Sequence, residues 1–337
     1  MTAIRSLAVA LSVKSLKKYF PIKTGLFRTL SSTSSEYVRA VDGVDFGIEQ
    51  GEVLGLVGES GCGKTTIARL IMNLIPPTSG TIEFEGRSVN IIAKKDLQVM
   101  RQRIQMIFQD PYGTLDPRMS IFDLIAEPLD VHKLVSNRNE REKRVIHALA
   151  MVGLEPAESF AHKFPHELSG GERQRAAIAR SLVLEPKFIV ADEPVSMLDV
   201  SVRVGILNLL RNLISRQTIA MLFITHDLAV ARYVSDRIAI MYLGKIAEIG
   251  NADEVIEKPL HPYTRALVSA VPSISSKLIQ MTASLPNEET DESRIPPGCS
   301  FHPRCPYAEG ICSSVEPVLR EFPPSRRAAC HLLEKIT

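Results

Sequence analysis

The sequence predicts an α/β protein with a mostly parallel sheet covered by helices on both faces. Three observations carry this. Apolar runs at Val53–Val57, 188–191 and 220–224 lack polar alternation, which is the pattern of strands buried on both faces. The runs are followed by polar residues and then a helical pattern, and strands alternating with helices pair in parallel. The first run ends in a glycine-rich turn, so a strand hands directly to a helix there. A length of 337 residues holds one domain of roughly 200–250 residues and a smaller appendage.

From the N-terminus, residues 7–13 read as a first strand. Arg5 and the short apolar run after it resemble a signal peptide, but Lys14, Lys17 and Lys18 follow instead of a small-residue cleavage site. Residues 21–35 are rich in Ser, Thr, Gly and Pro and read as an exposed loop. Residues 38–57 alternate and then turn wholly apolar. From about 110 to 165 the pattern is helical, and the charged run 137–144 leads into Val145, Leu149 and Val152, a solvated helix with one core-facing stripe. After about Gly250 a series of prolines, from Pro259 and Pro262 through Pro272 and Pro286 to Pro296 and Pro297, breaks regular structure, so the tail reads as a separate unit. No stretch approaches the about 18 uninterrupted apolar residues of a membrane span; residues 219–225 are the best run. The formal charge of +2, from 40 basic and 38 acidic residues, gives neither a nucleic-acid polycation nor an acidic tail.

Gly58-Glu59-Ser60-Gly61-Cys62-Gly63-Lys64-Thr65, with Thr66 next, fits G-x-x-x-x-G-K-[ST] between a strand and a helix. Glycines let backbone N–H groups close around phosphate oxygens, and the helix N-terminus adds a favourable dipole. Lys64 is then placed for the β- and γ-phosphates and the Thr65 hydroxyl for Mg²⁺. Cys62 beside Lys64 is either a thiol of lowered pKa or a small filler of the loop. The run 188–191 ends in Asp192-Glu193, an acid positioned to hold Mg²⁺ followed by one positioned to polarise water.

Between these lies Leu168-Ser169-Gly170-Gly171-Glu172-Arg173-Gln174-Arg175, which resembles the L-S-G-G-Q signature of ABC ATPases, with Glu172 where Gln is usual. Ser169 and the glycine N–H groups open a helix and present a second anion-binding end. Gln109 resembles the family's Q-loop glutamine, Ser196-Met197-Leu198-Asp199 its D-loop with Met197 where a small residue is usual, and His226 its switch histidine. The resemblance covers residues 8–250 and implies a P-loop NTPase with a RecA-like core, an antiparallel β part and a helical signature subdomain at about 110–180. It implies ATP and Mg²⁺ as cofactors, with Thr65, Gln109 and Asp192 around the metal and Tyr19 or Phe20 stacked on adenine. Lys64, Gln109, Glu193 and His226 become the catalytic set. Ser169, Gly170 and Gly171 cap nucleotide held by a second subunit.

The remaining residues, 251–337, resemble the C-terminal extension of oligopeptide and dipeptide importer ATPases, through His261-Pro262-Tyr263-Thr264-Arg265-Ala266-Leu267 and Pro296-Pro297-Gly298-Cys299-Ser300-Phe301-His302-Pro303-Arg304-Cys305-Pro306. The expected function is ATP-driven peptide import, with nickel or oligosaccharide as the alternative cargo and a soluble, non-transport ABC ATPase as the distant alternative. Expected partners are a second and different ATPase, two membrane permeases and an extracytoplasmic binding protein, with no nucleic acid. The expected place is the cytoplasmic face of the cell membrane. Without an export signal the compartment is reducing, which favours metal ligation by cysteine over disulfides. Cys299, Cys305, Cys312 and Cys330 follow C-x5-C-x6-C-x17-C, unlike common zinc ribbons or the ferredoxin run. The resemblance suggests a [4Fe–4S] cluster on these four; structural zinc with His302 or His331 in place of one cysteine, and free thiols, stay open beside it.

Overall fold

The computed structural model describes residues 8–22, 37–90, 94–271, 295–323 and 325–336. Most of the expected polar loop, from residue 23, lies outside the described residues, as do Arg5, Leu7, Pro272 and Pro286. The described residues fall into two compact units, one within Met1–Ala10, Ile48–Val53 and Ile91–Ile224, the other within Leu11–Gly47, Leu54–Asn90 and Thr225–Thr337.

The first unit is built on parallel strands. Ile104–Ile107 pairs with Phe188–Asp192, with Ile104 opposite Phe188 and Ile107 opposite Ala191. Phe188–Asp192 pairs in turn with Ala220–Thr225, with Phe188 opposite Ala220 and Asp192 opposite Ile224. Every residue of the last two strands is buried, which explains why neither shows alternation in the sequence. Helices accompany these strands, and their starts are written locally. Ser120 accepts from the Asp123 N–H ahead of the helix Ile121–Val131, and Asn137 from the Glu140 N–H ahead of Arg138–Met151. The charged run 137–144 is thus a capped first half of a helix whose stripe buries Val145, Ala148 and Leu149.

The second unit holds the strand Val53–Val57, parallel to Arg237–Tyr242, with Leu54 opposite Arg237 and Val57 opposite Ile240. Arg237–Tyr242 turns back through Leu243 (φ 41°) and Gly244 (φ 81°) into the antiparallel strand Lys245–Asn251. Positive φ at both loop positions is the two-residue hairpin geometry that matches strand twist. Lys245–Asn251 then pairs with Arg326–Ala328, and that strand with Arg320–Phe322. Residues after 250 therefore add strands beside Lys245–Asn251, and they share one core with the phosphate-loop strand: Val57, Ile238, Tyr242, Tyr263 and Phe301 pack together. A separate four-stranded sheet runs in the order Tyr37–Glu49, Val9–Pro21, Ser79–Phe84, Arg87–Ser88. The N-terminal strand is longer than the sequence suggests, and residues 38–57 prove to be two strands, Tyr37–Glu49 and Val53–Val57. Among the described residues no helix is long and apolar enough to cross a membrane.

Candidate nucleotide site

In the second unit the glycine-rich loop joins the strand Val53–Val57 to the helix Lys64–Ile71. Its glycines are sterically required. A Cβ on Gly58 would stand 2.2 Å from the Met241 carbonyl oxygen, and one on Gly63 (φ +106°) 2.0 Å from that of Ala40. Gly63 places no capping side chain over the helix start, so the first turn of N–H groups is presented to the loop's concave side. This cradle fits a polyphosphate. Lys64 is 6% exposed, and its Nζ donates to the carbonyls of Gly58 and Glu59, each at 2.8 Å.

Cys62 is buried beside Lys64, its Sγ 3.8 Å from Nζ. Burial pushes its thiol pKa up and outweighs the pull of the Lys64 charge. Of the two sequence readings, burial favours the loop filler over the thiol of lowered pKa, because the ammonium sits in the same dry pocket that strips water from the thiol. Glu59 has partners that sequence reasoning missed. Its N–H donates to the Tyr263 hydroxyl at 3.2 Å, and its carboxylate accepts from both Arg304 Nη atoms at 3.1 and 3.2 Å. Arg304 is 245 residues away, so no spacing rule signals the contact.

Of the two aromatic candidates, Tyr19 is occupied: its hydroxyl donates to Asp42 at 2.5 Å, and burial with that carboxylate pushes it up to about 12. Phe20 is 38% exposed, with Lys18 Nζ 5.0 Å from the ring centroid. His226 is exposed between the strand Ala220–Thr225 and the helix Leu228–Val234, where Asp227 caps the helix by accepting from the Ala229 and Val230 N–H groups.

In the first unit Asp192 ends its strand, 5% exposed. Glu193 follows with φ 47°, a left-handed conformation uncommon for a non-glycine residue. Its neighbours hold it there. The Glu193 N–H donates to the Ile224 carbonyl at 2.9 Å, and its own carbonyl accepts from Ser196 Oγ at 3.0 Å. Its carboxylate accepts from Gln109 Nε2 at 3.2 Å, so the two residues taken separately from the sequence stand together. Met197 is 58% exposed.

Ser169 opens the helix Gly170–Leu182 through a capping box: the Glu172 N–H donates to Ser169 Oγ, and the Glu172 carboxylate accepts from the Ser169 N–H at 2.7 Å and from its hydroxyl at 2.6 Å. These bonds hold the Glu172 carboxyl below its usual range. Gly170 is half-buried, and a Cβ on Gly171 would stand 2.5 Å from Val202 Cγ1, so the signature's second glycine lets two helices meet.

The four extension thiols converge without disulfides. Cys312 and Cys330 lie in one small core that Cys299 also touches, and Cys299 and Cys305 pack against the core of Phe301. Burial pushes the Cys305 thiol up to about 11, and the other three cysteines add to it. Among the described residues, however, no group of three or more His, Cys, Asp or Glu is arranged to hold a metal ion. His302 Nδ1 lies 2.9 Å from the Cys299 carbonyl and His331 Nε2 2.8 Å from that of Val315, so both histidines of the zinc alternative have backbone partners. The donor chemistry suits a metal, but the described arrangement is not a ligand set.

Comparison with known proteins agrees with these features. Residues 41–196 match the ABC transporter family and residues 247–312 the oligopeptide/dipeptide transporter C-terminal region. The chain is 45% identical to the oligopeptide transport ATP-binding protein AppF of Bacillus subtilis, over 96% of this chain and 97% of that protein. It is 43% identical to the di/tripeptide transport ATP-binding protein DppF of Pseudomonas aeruginosa, over 96% and 98%. Among solved structures, the dimeric post-hydrolysis state of the ATP-binding cassette MJ0796 bound to ADP and Pi superposes with a TM-score of 0.62 at 30% identity, covering 72% of this chain and 98% of that one. The chain belongs to the ABC transporter family, in the branch of ATP-binding proteins that carries the oligopeptide/dipeptide transporter C-terminal region.

Proposed function

We propose that this chain hydrolyses ATP to drive peptide import through membrane permeases. The observation that carries the reading is the near full-length likeness, at 43–45% identity, to ATP-binding proteins of oligopeptide and di/tripeptide transport. Within the cassette, Lys64 and the loop N–H groups bind the phosphates, and Phe20, exposed while Tyr19 is tied to Asp42, stacks on adenine. Thr65, Asp192 and Gln109 would hold Mg²⁺, which neutralises phosphate charge when bound. Glu193 orients and polarises the attacking water, Gln109 fixes its carboxylate, and His226 contacts the γ-phosphate. Ser169, Gly170 and Gly171 serve nucleotide held by a second ATPase, a different chain in this reading; the dimeric neighbour bound to ADP and Pi supports a two-chain working form. A binding protein delivers the peptide, and the chain works at the cytoplasmic face of the membrane. The two matched regions, 41–196 and 247–312, support a cassette at 8–250 and an extension at 251–337.

The packing of Cys299, Cys305, Cys312 and Cys330 in two cores that Cys299 joins supports a finer reading in which these four thiols would hold an iron–sulfur cluster. Anaerobic purification with iron, sulfide and zinc analysis decides this, and a metal-free protein of full activity removes it. For the main reading, Glu193→Gln in the reconstituted transporter is expected to lower turnover at least about 100-fold while ATP binding persists. Near-normal turnover would take the water-polarising role away from Glu193.

A further inference from the structure

Glu59 puts a carboxylate on the loop that is built to receive a highly charged anion. Left alone, that charge would oppose nucleotide binding. It is not left alone. Arg304 grips it with two parallel donations at 3.1 and 3.2 Å, the bidentate geometry that fixes position as well as charge. The Arg304 side chain is only 11% exposed, and its own setting is firm. It ends the short turn His302–Arg304, its Nη1 lies 3.4 Å from the Tyr242 hydroxyl, and its guanidinium lies 5.8 and 5.9 Å from the ring centroids of Tyr242 and Phe301. Phe301 and Tyr263 are buried at 2% and 0% exposure, with ring centroids 5.4 Å apart.

The backbone of Glu59 is held as well. Its N–H donates to the Tyr263 hydroxyl at 3.2 Å, while its carbonyl accepts from Lys64. Lys64 must leave that carbonyl to reach phosphate, so Tyr263 and Arg304 are what keep the loop entry in place when it does. We propose that Arg304 and Tyr263 are positioning residues for the phosphate loop, so that the C-terminal extension sets the affinity for nucleotide. This rests on the reading that the loop binds ATP.

The test uses the full chain in its transporter complex, with kcat and KM for MgATP and the Kd of a fluorescent ATP analogue. Arg304→Ala is expected to raise KM and Kd about fivefold or more with kcat within about twofold. Arg304→Lys, which keeps the charge and loses the fork, falls between. Tyr263→Phe keeps the ring and loses the hydroxyl, and raises Kd by a smaller factor. The diagnostic variant is Arg304→Ala with Glu59→Ala, which removes the orphaned carboxylate and is expected to bind ATP more tightly than Arg304→Ala alone; loss of a merely structural arm would not be rescued this way. Unchanged KM and Kd in Arg304→Ala, or a double variant no better than the single, overturns the proposal. Should Arg304→Ala not fold, Arg304→Gln alone and with Glu59→Gln carries the same comparison. A wild-type complex that does not hydrolyse ATP would instead sink the ATPase reading, and it is read first.

Discussion

Lys64 shows how a side chain legible in a motif gains its working state from the fold. Its ammonium is stored against two neutral carbonyls, those of Gly58 and Glu59. Phosphate oxygens are stronger, charged acceptors, so in the proposed reading a nucleotide would draw Lys64 out of the loop without breaking a strong ion pair. The glycines that permit this are single points of failure. For Gly63→Ala, the added carbon would meet the Ala40 carbonyl at 2.0 Å with φ at +106°. The positive φ alone costs about 1–3 kcal/mol, and the clash displaces the backbone that cradles phosphate. MgATP affinity measured by equilibrium binding is expected to fall at least about tenfold; unchanged affinity would contradict the cradle. At Cys62 the motif position left a reactive thiol and a loop filler open, and burial favours the filler.

The helix Gly170–Leu182 carries the signature, and its start is stabilised by the Ser169–Glu172 box. That box gives the Glu172 departure from the usual Gln a structural purpose, since a carboxylate accepts from both the amide and the hydroxyl of Ser169. It also leaves a titration signature. The Glu172 carboxyl is depressed in the folded state, so its contribution is present above the ordinary value of 4.5 and is lost as pH falls through the lower folded value. Melting temperature followed from pH 7 downward is expected to fall less steeply below 4.5 in Glu172→Gln than in the parent chain. Parallel acid limbs would mean that the box contributes nothing to the helix. In the turn after Phe188–Asp192 the constraint lies in Glu193 rather than in a cap, with Gln109, Ser196 and Ile224 bonded to its carboxylate, carbonyl and N–H.

At the scale of the whole molecule, the extension is braced by buried polar groups whose behaviour depends on pH. His261 is 3% exposed, and its Nδ1 accepts from the Tyr263 N–H at 3.0 Å, capping the helix Pro262–Ser269. Burial pushes it down to about 4 from 6.5. Above about 6.5 neither state carries the proton; between 6.5 and 4 the unfolded chain binds one that the folded chain refuses, so stability falls with pH across that window. The slope from this one group is up to about 1.4 kcal/mol per pH unit. His261→Asn keeps a capping acceptor without the titration, and urea unfolding between pH 7 and 4 is expected to show a flatter profile for it; identical profiles would remove His261 as the cause. Much of the molecule was legible beforehand. The phosphate loop, the acids after Phe188–Asp192 and the signature helix are short strings in which fixed backbone conformations and caps demand particular residues, so the sequence alone determined the fold class, the ATP chemistry and the family. It could not show that Gln109 meets Glu193, that Cys62 is packed rather than reactive, or that Arg304 and Tyr263 hold Glu59. Those are contacts between distant segments with no shared period, and desolvation exists only once the chain has closed around a group. Only the tertiary structure decided them.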